Sequence, residues 1–206
     1  MNVAVNIELD LEKHSSTNVA RVLDNLKAAL PLKITLLRNE VPEGWLERQI
    51  QHITDDPFRA NGRSPYKIKR NVQYILIEPA VAKALGVRYV FRETADPGWD
   101  ILWRGYKIDC IVFKTEYLSI GELNLQKKLR RIRKGKIDII LGANIYETDE
   151  GWDVYPRIIV WGRYMDGHIQ ASLHKGGKPW FNHHTEGAKR VSRLLNADAR
   201  SEDDDD

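Results

Sequence analysis

One cysteine, Cys110, in 206 residues leaves the chain without a possible internal disulfide. The six histidines have no cysteine partners, so a Cys/His zinc site does not fit either. No apolar run approaches the roughly 20 residues that cross a bilayer, so a membrane partner is not expected. The opening MNVAVNIELD has neither a basic n-region nor a cleavage site. No signal peptide is therefore expected, and the low cysteine usage fits a reducing cytoplasmic setting. There is no GK[ST] pattern for a phosphate-binding loop and no nucleophile-elbow signature for Ser-His-Asp chemistry. Internal repeats and long low-complexity linkers are also missing.

What remains is a globular composition, 42% hydrophobic and 30% charged, with polarity of charge as its main asymmetry. The formal charge is +3, but five of the acids, Glu202 to Asp206, end the chain, and the body before them carries +8. A basic body favours polyanionic partners through long-range attraction and counterion release. The acidic end, 197–206, reads as a solvated, disordered tail.

Hydrophobic periodicity divides the rest. Residues 2–9 alternate as a strand does, and 33–37 (KITLL) read as another. Val19, Val22, Leu23, Leu26 and Leu30 share one face of a helix over 17–29, with Ser15, Ser16 and Thr17 as capping candidates. Trp45, Leu46, Ile50 and Ile53 mark an amphipathic helix over 42–53. The Asp-, Pro- and Gly-rich stretch 54–66 reads as a loop, separating an N-terminal α/β appendage (1–58) from a main domain (66–196). That domain reads as a helix over 70–85, kinked or restarted at Pro79, then strands at 87–92, 99–104 and 106–114. A basic helix over 121–134 and strands at 136–146 and 154–162 follow, giving an α/β fold with a mixed sheet flanked by helices.

The chemistry concentrates in WDILWRGYKIDCIVFKT, residues 99–115. Arg104-Gly105 between two apolar runs predicts a β-hairpin, which brings Asp100 close to Asp109. Carboxylates inside apolar runs are costly unless paired, so two of them in one hairpin point to a divalent-cation site. The competing reading pairs them with Arg104 and Lys107 or leaves them on a solvated face. Glu78 ends the apolar run YILI; it is either a third acid facing the same point or an N-cap before Pro79. Lys127, Lys128, Arg130, Arg131, Arg133, Lys134 and Lys136 lie around the buried stripe Leu125, Leu129, Ile132, and so face outward toward a phosphate backbone. His174, His183 and His184 lack the spacing of a metal cluster, and 174–184 reads as a basic-aromatic loop. Asp138 reads as structural, and Cys110 as an inert core thiol.

Over roughly residues 70–165 these motifs resemble the PD-(D/E)XK nuclease superfamily, the restriction-endonuclease-like fold. IEPAVAKALG resembles its first core helix with Glu78 as the helix acid; WDIL and GYKID match the strands bearing its two acids, Asp100 and Asp109. KGKIDIILGANIYE matches the strand after its second core helix. The resemblance implies a Mg²⁺-dependent endonuclease, with Mn²⁺ able to substitute, acting on DNA, with RNA not excluded. It further implies metal ligands Glu78, Asp100 and Asp109, and a catalytic lysine. The family's lysine stands two residues after the second acid, where this chain has Ile111. Lys114 is the first substitute, brought round by a bulge over 110–113; Lys107, Lys127 and Arg131 are the others. A homodimer through the N-terminal segment and a phage or mobile-element origin are compatible with this reading. The alternatives are a catalytically inactive nucleic-acid-binding or inhibitor protein on the same core, and a module whose basic helix meets an acidic protein.

Overall fold

The computed structural model describes residues 15–56, 63–92, 99–112 and 122–167, with side chains in the last span from Lys127 onward. Ser15 caps the first helix, α1 (Ser16–Ala29), by accepting the Asn18 N–H, and Val19, Val22, Leu23 and Leu26 form its buried stripe. Strand β1 (Ile34–Leu37) and helix α2 (Trp45–Thr54) come next, close to their expected bounds.

Helix α3 (Pro65–Gln73) starts earlier than periodicity predicts. Ser64 is its N-cap and Pro65 its first residue, so the Ser-Pro pair taken as loop is a helix start. A 3₁₀ turn, Tyr74–Leu76, breaks the predicted 70–85 helix before α4 (Ile77–Ala84). Pro79 is tolerated because it lies in the first turn of α4, where backbone N–H groups lack helical acceptors. Glu78 lies within that first turn, and the N-cap is Leu76, so the N-cap reading of Glu78 is corrected.

The expected strand at 87–92 does not form. Its alternating Val87, Tyr89 and Phe91 pack against the core as an unpaired segment. Phe91 meets Trp45 and Tyr89 edge-on at 5.1 Å in each case, and the Arg92 carbonyl accepts from Trp45 Nε1 and Gln49 Nε2. Alternation here signals one buried side, which helix α2 covers as well as a neighbouring strand would.

Strands β2 (Ile101–Trp103) and β3 (Tyr106–Val112) form the predicted hairpin, turning at Arg104 and Gly105 with φ of 49° and 81°. Helix α5 (Glu122–Arg133) crosses over to β4 (Ile139–Glu147), which pairs parallel to β3. Strand β5 (Gly151–Trp161) returns antiparallel. The sheet order is β1-β5-β4-β3-β2, five strands of mixed direction with helices packed on it. Register slips between Gly142 and Ala143, where Pro156 on β5 has no N–H to give the ladder.

The N-terminal segment contributes to this same sheet. Strand β1 pairs with β5, Lys33 and Thr35 bind Asp153 at 3.1 and 2.8 Å, and Lys83 of α4 reaches the Thr35 carbonyl at 3.0 Å. Its helix joins the same core: Leu23, Leu26, Ile108, Ile139 and Trp161 are essentially inaccessible. Each such side chain contributes roughly 1.5–3 kcal/mol by leaving water. Register puts Ile101, Ile108, Ile139 and Trp161 on one face, and Asp109, Ile140 and Val160 on the other. The first lies toward α1, whose Asn18 donates to Tyr106; the second lies toward α5. Residues 2–9, 113–121 and 168–206, including the expected N-terminal strand, the histidines and the acidic tail, lie outside the described residues.

Two glycines test the sheet. A Cβ on Gly151 would run into the Leu36 carbonyl, so Gly151→Ala should cost about 3 kcal/mol by forcing β1 from β5. Gly105 has open space but left-handed backbone, so Gly105→Ala should cost only about 1 kcal/mol. Urea unfolding of both variants measures the difference; equal losses would contradict the steric assignment at Gly151.

Candidate active site

The hairpin register, Ile101 opposite Ile108, places Asp100 across from Asp109 one residue beyond the paired strand. Asp100 is held twice: its N–H donates to the Ile108 carbonyl at 2.9 Å, and its Oδ2 accepts the Cys110 N–H at 2.5 Å. The carboxylate thus substitutes for the carbonyl that a longer β2 would have supplied. Asp109 is 2% exposed and faces α5, where Lys128 Nζ forms an ion pair with its Oδ2 and Arg131 lies 3.9 Å from its Oδ1. Glu78 comes from α4, and its Oε2 accepts from the Tyr89 hydroxyl at 2.7 Å.

These groups sense one another. Burial, then the charges of Glu78 and Asp109, push the Asp100 carboxyl well above the usual range, against the Cys110 N–H and Lys128. Burial also pushes the Tyr89 hydroxyl strongly up, helped by the Glu78 charge and hydrogen bond and by Asp100, so Tyr89 stays a neutral donor. The Cys110 thiol is pushed up by burial and then by the charges of Asp100, Glu78 and Asp109. Three carboxylates from α4, the approach to β2 and β3 therefore share one electrostatic neighbourhood. Among the described residues, however, no group of three or more His, Cys, Asp or Glu side chains is arranged to enclose a metal ion.

The cations distribute differently from the expected set. Lys114 lies outside the described residues. Ile111 occupies the position two after Asp109, and Lys107 turns away to the Gly135 carbonyl at 2.7 Å. Lys127 is exposed; its neighbour Lys128 makes the contact with Asp109. Of the basic helix, Lys127, Arg130, Arg133 and Lys134 are exposed, with Arg133 paired to Asp166 at 2.7 Å, while Lys128 and Arg131 turn inward. Their spacing gave no signal of this, because Arg130 and Arg133 flank the same stripe, Leu129 and Ile132, and are exposed. Tyr89 gave no such signal beyond alternation. Asp138 is structural, as expected: its Oδ2 accepts the Lys107 N–H at 2.9 Å and its carbonyl accepts the Gly162 N–H at 2.7 Å.

No family model, no curated protein and no solved structure matches this chain. The described residues contain no helix long and apolar enough to cross a membrane.

The charge crowding predicts opposite signs for two substitutions, read by urea unfolding at neutral pH with a chelator present. Asp100→Asn keeps an oxygen for the Cys110 N–H while removing a repelled charge, and should raise stability by about 1 kcal/mol. Lys128→Met strips the main counter-charge from buried Asp109 and should lower stability by about 3 kcal/mol. A destabilising Asp100→Asn would mean that repulsion does not govern the cluster.

Proposed function

We propose that this chain is a metal-dependent nuclease on a restriction-endonuclease-like core, hydrolysing DNA phosphodiester bonds at the Glu78–Asp100–Asp109 cluster. The observation that carries the reading is the placement of Asp100 across the hairpin from buried Asp109, beside a parallel crossover and near enough to Glu78 to sense its charge. Such crowding costs stability, and sites that tolerate it are those where bound ligand repays the cost. All three side chains are oxygen donors, the type that Mg²⁺ and Mn²⁺ take, and Mg²⁺ commonly uses only one or two carboxylates beside water and phosphate oxygens. The donor set therefore fits the ion without a closed protein cage. When bound, a divalent cation supplies Lewis acidity to the phosphate and a more acidic water.

The protein's own groups then have separate tasks. Asp100 and Asp109 would hold the ion, with Glu78, oriented by Tyr89, as a third acid acting directly or through water. Lys128 stands in for the displaced lysine: substrate phosphate arriving at the cluster offers its ammonium a second anionic partner, where charge develops on the phosphate oxygens. The exposed Lys127, Arg130 and Lys134 offer contacts to backbone phosphates without reading bases. The N-terminal segment remains the candidate dimerisation surface, and RNA the alternative substrate.

One observation favours a second reading. Lys128 already neutralises Asp109 from within the chain, which is how an inactive core would replace a lost cation. In that case the protein binds nucleic acid, or inhibits an enzyme acting on it, without cleaving.

Incubation of supercoiled plasmid with the purified chain and Mg²⁺ or Mn²⁺ separates the two. The nuclease reading expects nicking that chelator stops, Asp109→Asn abolishes, and Lys128→Met slows on the order of a hundred-fold. Cleavage insensitive to Asp109→Asn would belong to a contaminant and sink the proposal. Salt-sensitive binding without cleavage would establish the second reading.

A further inference from the structure

A recess of about 400 Å³ opens between α3 and the far ends of β4 and β5, within the roughly 300–1,000 Å³ range of small-ligand sites. It lies away from the acid cluster: six residues separate Ile140, beside Asp109, from Tyr146 at its rim, about 20 Å of strand. Two tyrosine rings stand in water at its edge, Tyr66 at 71% and Tyr146 at 57% exposure. Lys69 and Arg70, both exposed, line it from α3. Trp152 forms part of its wall while only 3% exposed, and its buried indole N–H has no hydrogen-bond partner among the described residues. A buried donor of this kind calls for an acceptor. The guanidinium of Arg38 lies 5.0 Å above the indole ring.

The one acid of the lining, Glu147, does not oppose an anion freely. Burial raises its carboxyl, but hydrogen bonds from Arg38 and Gln73, with Lys69 nearby, outweigh burial and hold it ionised below the usual range. Its charge is thus matched by Arg38 at 3.0 Å, and the Gln73 amide donates a hydrogen bond to it at 2.6 Å. Lys69 and Arg70 remain at the rim, beside the aromatic rings.

We infer that this recess is a nucleotide-binding site, taking a base against the tyrosine rings and its phosphate on Lys69 and Arg70. Flat aromatic surfaces beside cations suit the two invariant parts of any nucleotide, a π-face and a phosphate, and suit them without sequence preference. Paired bases keep their faces hidden, so the ligand is a free nucleotide or one unit of a single strand. The inference does not require hydrolysis at the acid cluster.

Fluorescence anisotropy with a labelled oligothymidylate and the full chain, in chelator and low salt, tests it without any cleavage. The expected result is saturable binding that both Tyr146→Ala and the Lys69→Ala/Arg70→Ala pair weaken by about ten-fold. Tyr146 and Tyr66 are exposed, so Tyr66→Ala serves as a second variant that leaves the core intact. Displacement of the strand by a mononucleotide would identify free nucleotide as sufficient; resistance to displacement would identify the strand. No binding, binding unmoved by these substitutions, or a duplex bound as tightly as the single strand would each overturn the assignment. Plasmid cleavage can fail while this binding holds, and the reverse, so the two proposals are judged separately.

Discussion

A carboxylate placed out of reach of water needs a counter-charge, and Asp109 obtains its own from helix α5. That requirement ties the crossover to the hairpin. Lys128 and Arg131 can reach Asp109 only because β3 and β4 run parallel and α5 packs on the face that Asp109 shares with Ile140 and Val160. Around this pair the other acids are arranged with partners of their own: Glu78 with the Tyr89 hydroxyl, Asp100 with the Cys110 N–H. Partnering orients the carboxylates but leaves their mutual repulsion, which is why Asp100 is pushed toward its neutral form. The cluster is thus ordered by its partners while its acids still repel one another, the arrangement on which the proposed function rests.

Two regions of the sheet carry polar chemistry of opposite kinds. Near the start of β3 the groups are acids with an inward lysine; at the far end of β4 they are aromatic rings and cations around a recess. The continuous stretch of α3, the 3₁₀ turn and α4 runs between them, with Lys69 and Arg70 toward one and Glu78 at the other. Helix α5 adds further exposed cations, Lys127, Arg130 and Arg133.

Much of this was legible before any coordinates. Arg104-Gly105 specified the hairpin, because only left-handed backbone joins two strands in two residues, and the hairpin brought Asp100 to Asp109. The stripe of α1, and Leu129 and Ile132 in α5, were readable because a buried face repeats every 3.6 residues. The miss at 87–92 has the same root: period two reports one buried side, and α2 provides that side through Trp45 and Gln49 without any strand pairing. The early start of α3 was hidden because Ser64-Pro65 serves loops and helix starts alike.

Sequence alone settled which acids enter the hairpin and the charge of the whole, since each follows from local spacing or simple addition; the buried side of α2 instead falls on Trp45 and Gln49, with Ile50 and Ile53 only half-buried. Tertiary structure decided that Lys128 and not Lys107 meets Asp109, that Tyr89 holds Glu78, and that β1 is an edge of the same sheet beside β5. These are contacts between residues distant along the chain. They depend on strand order and on the face each helix covers, and no local pattern of residues encodes either.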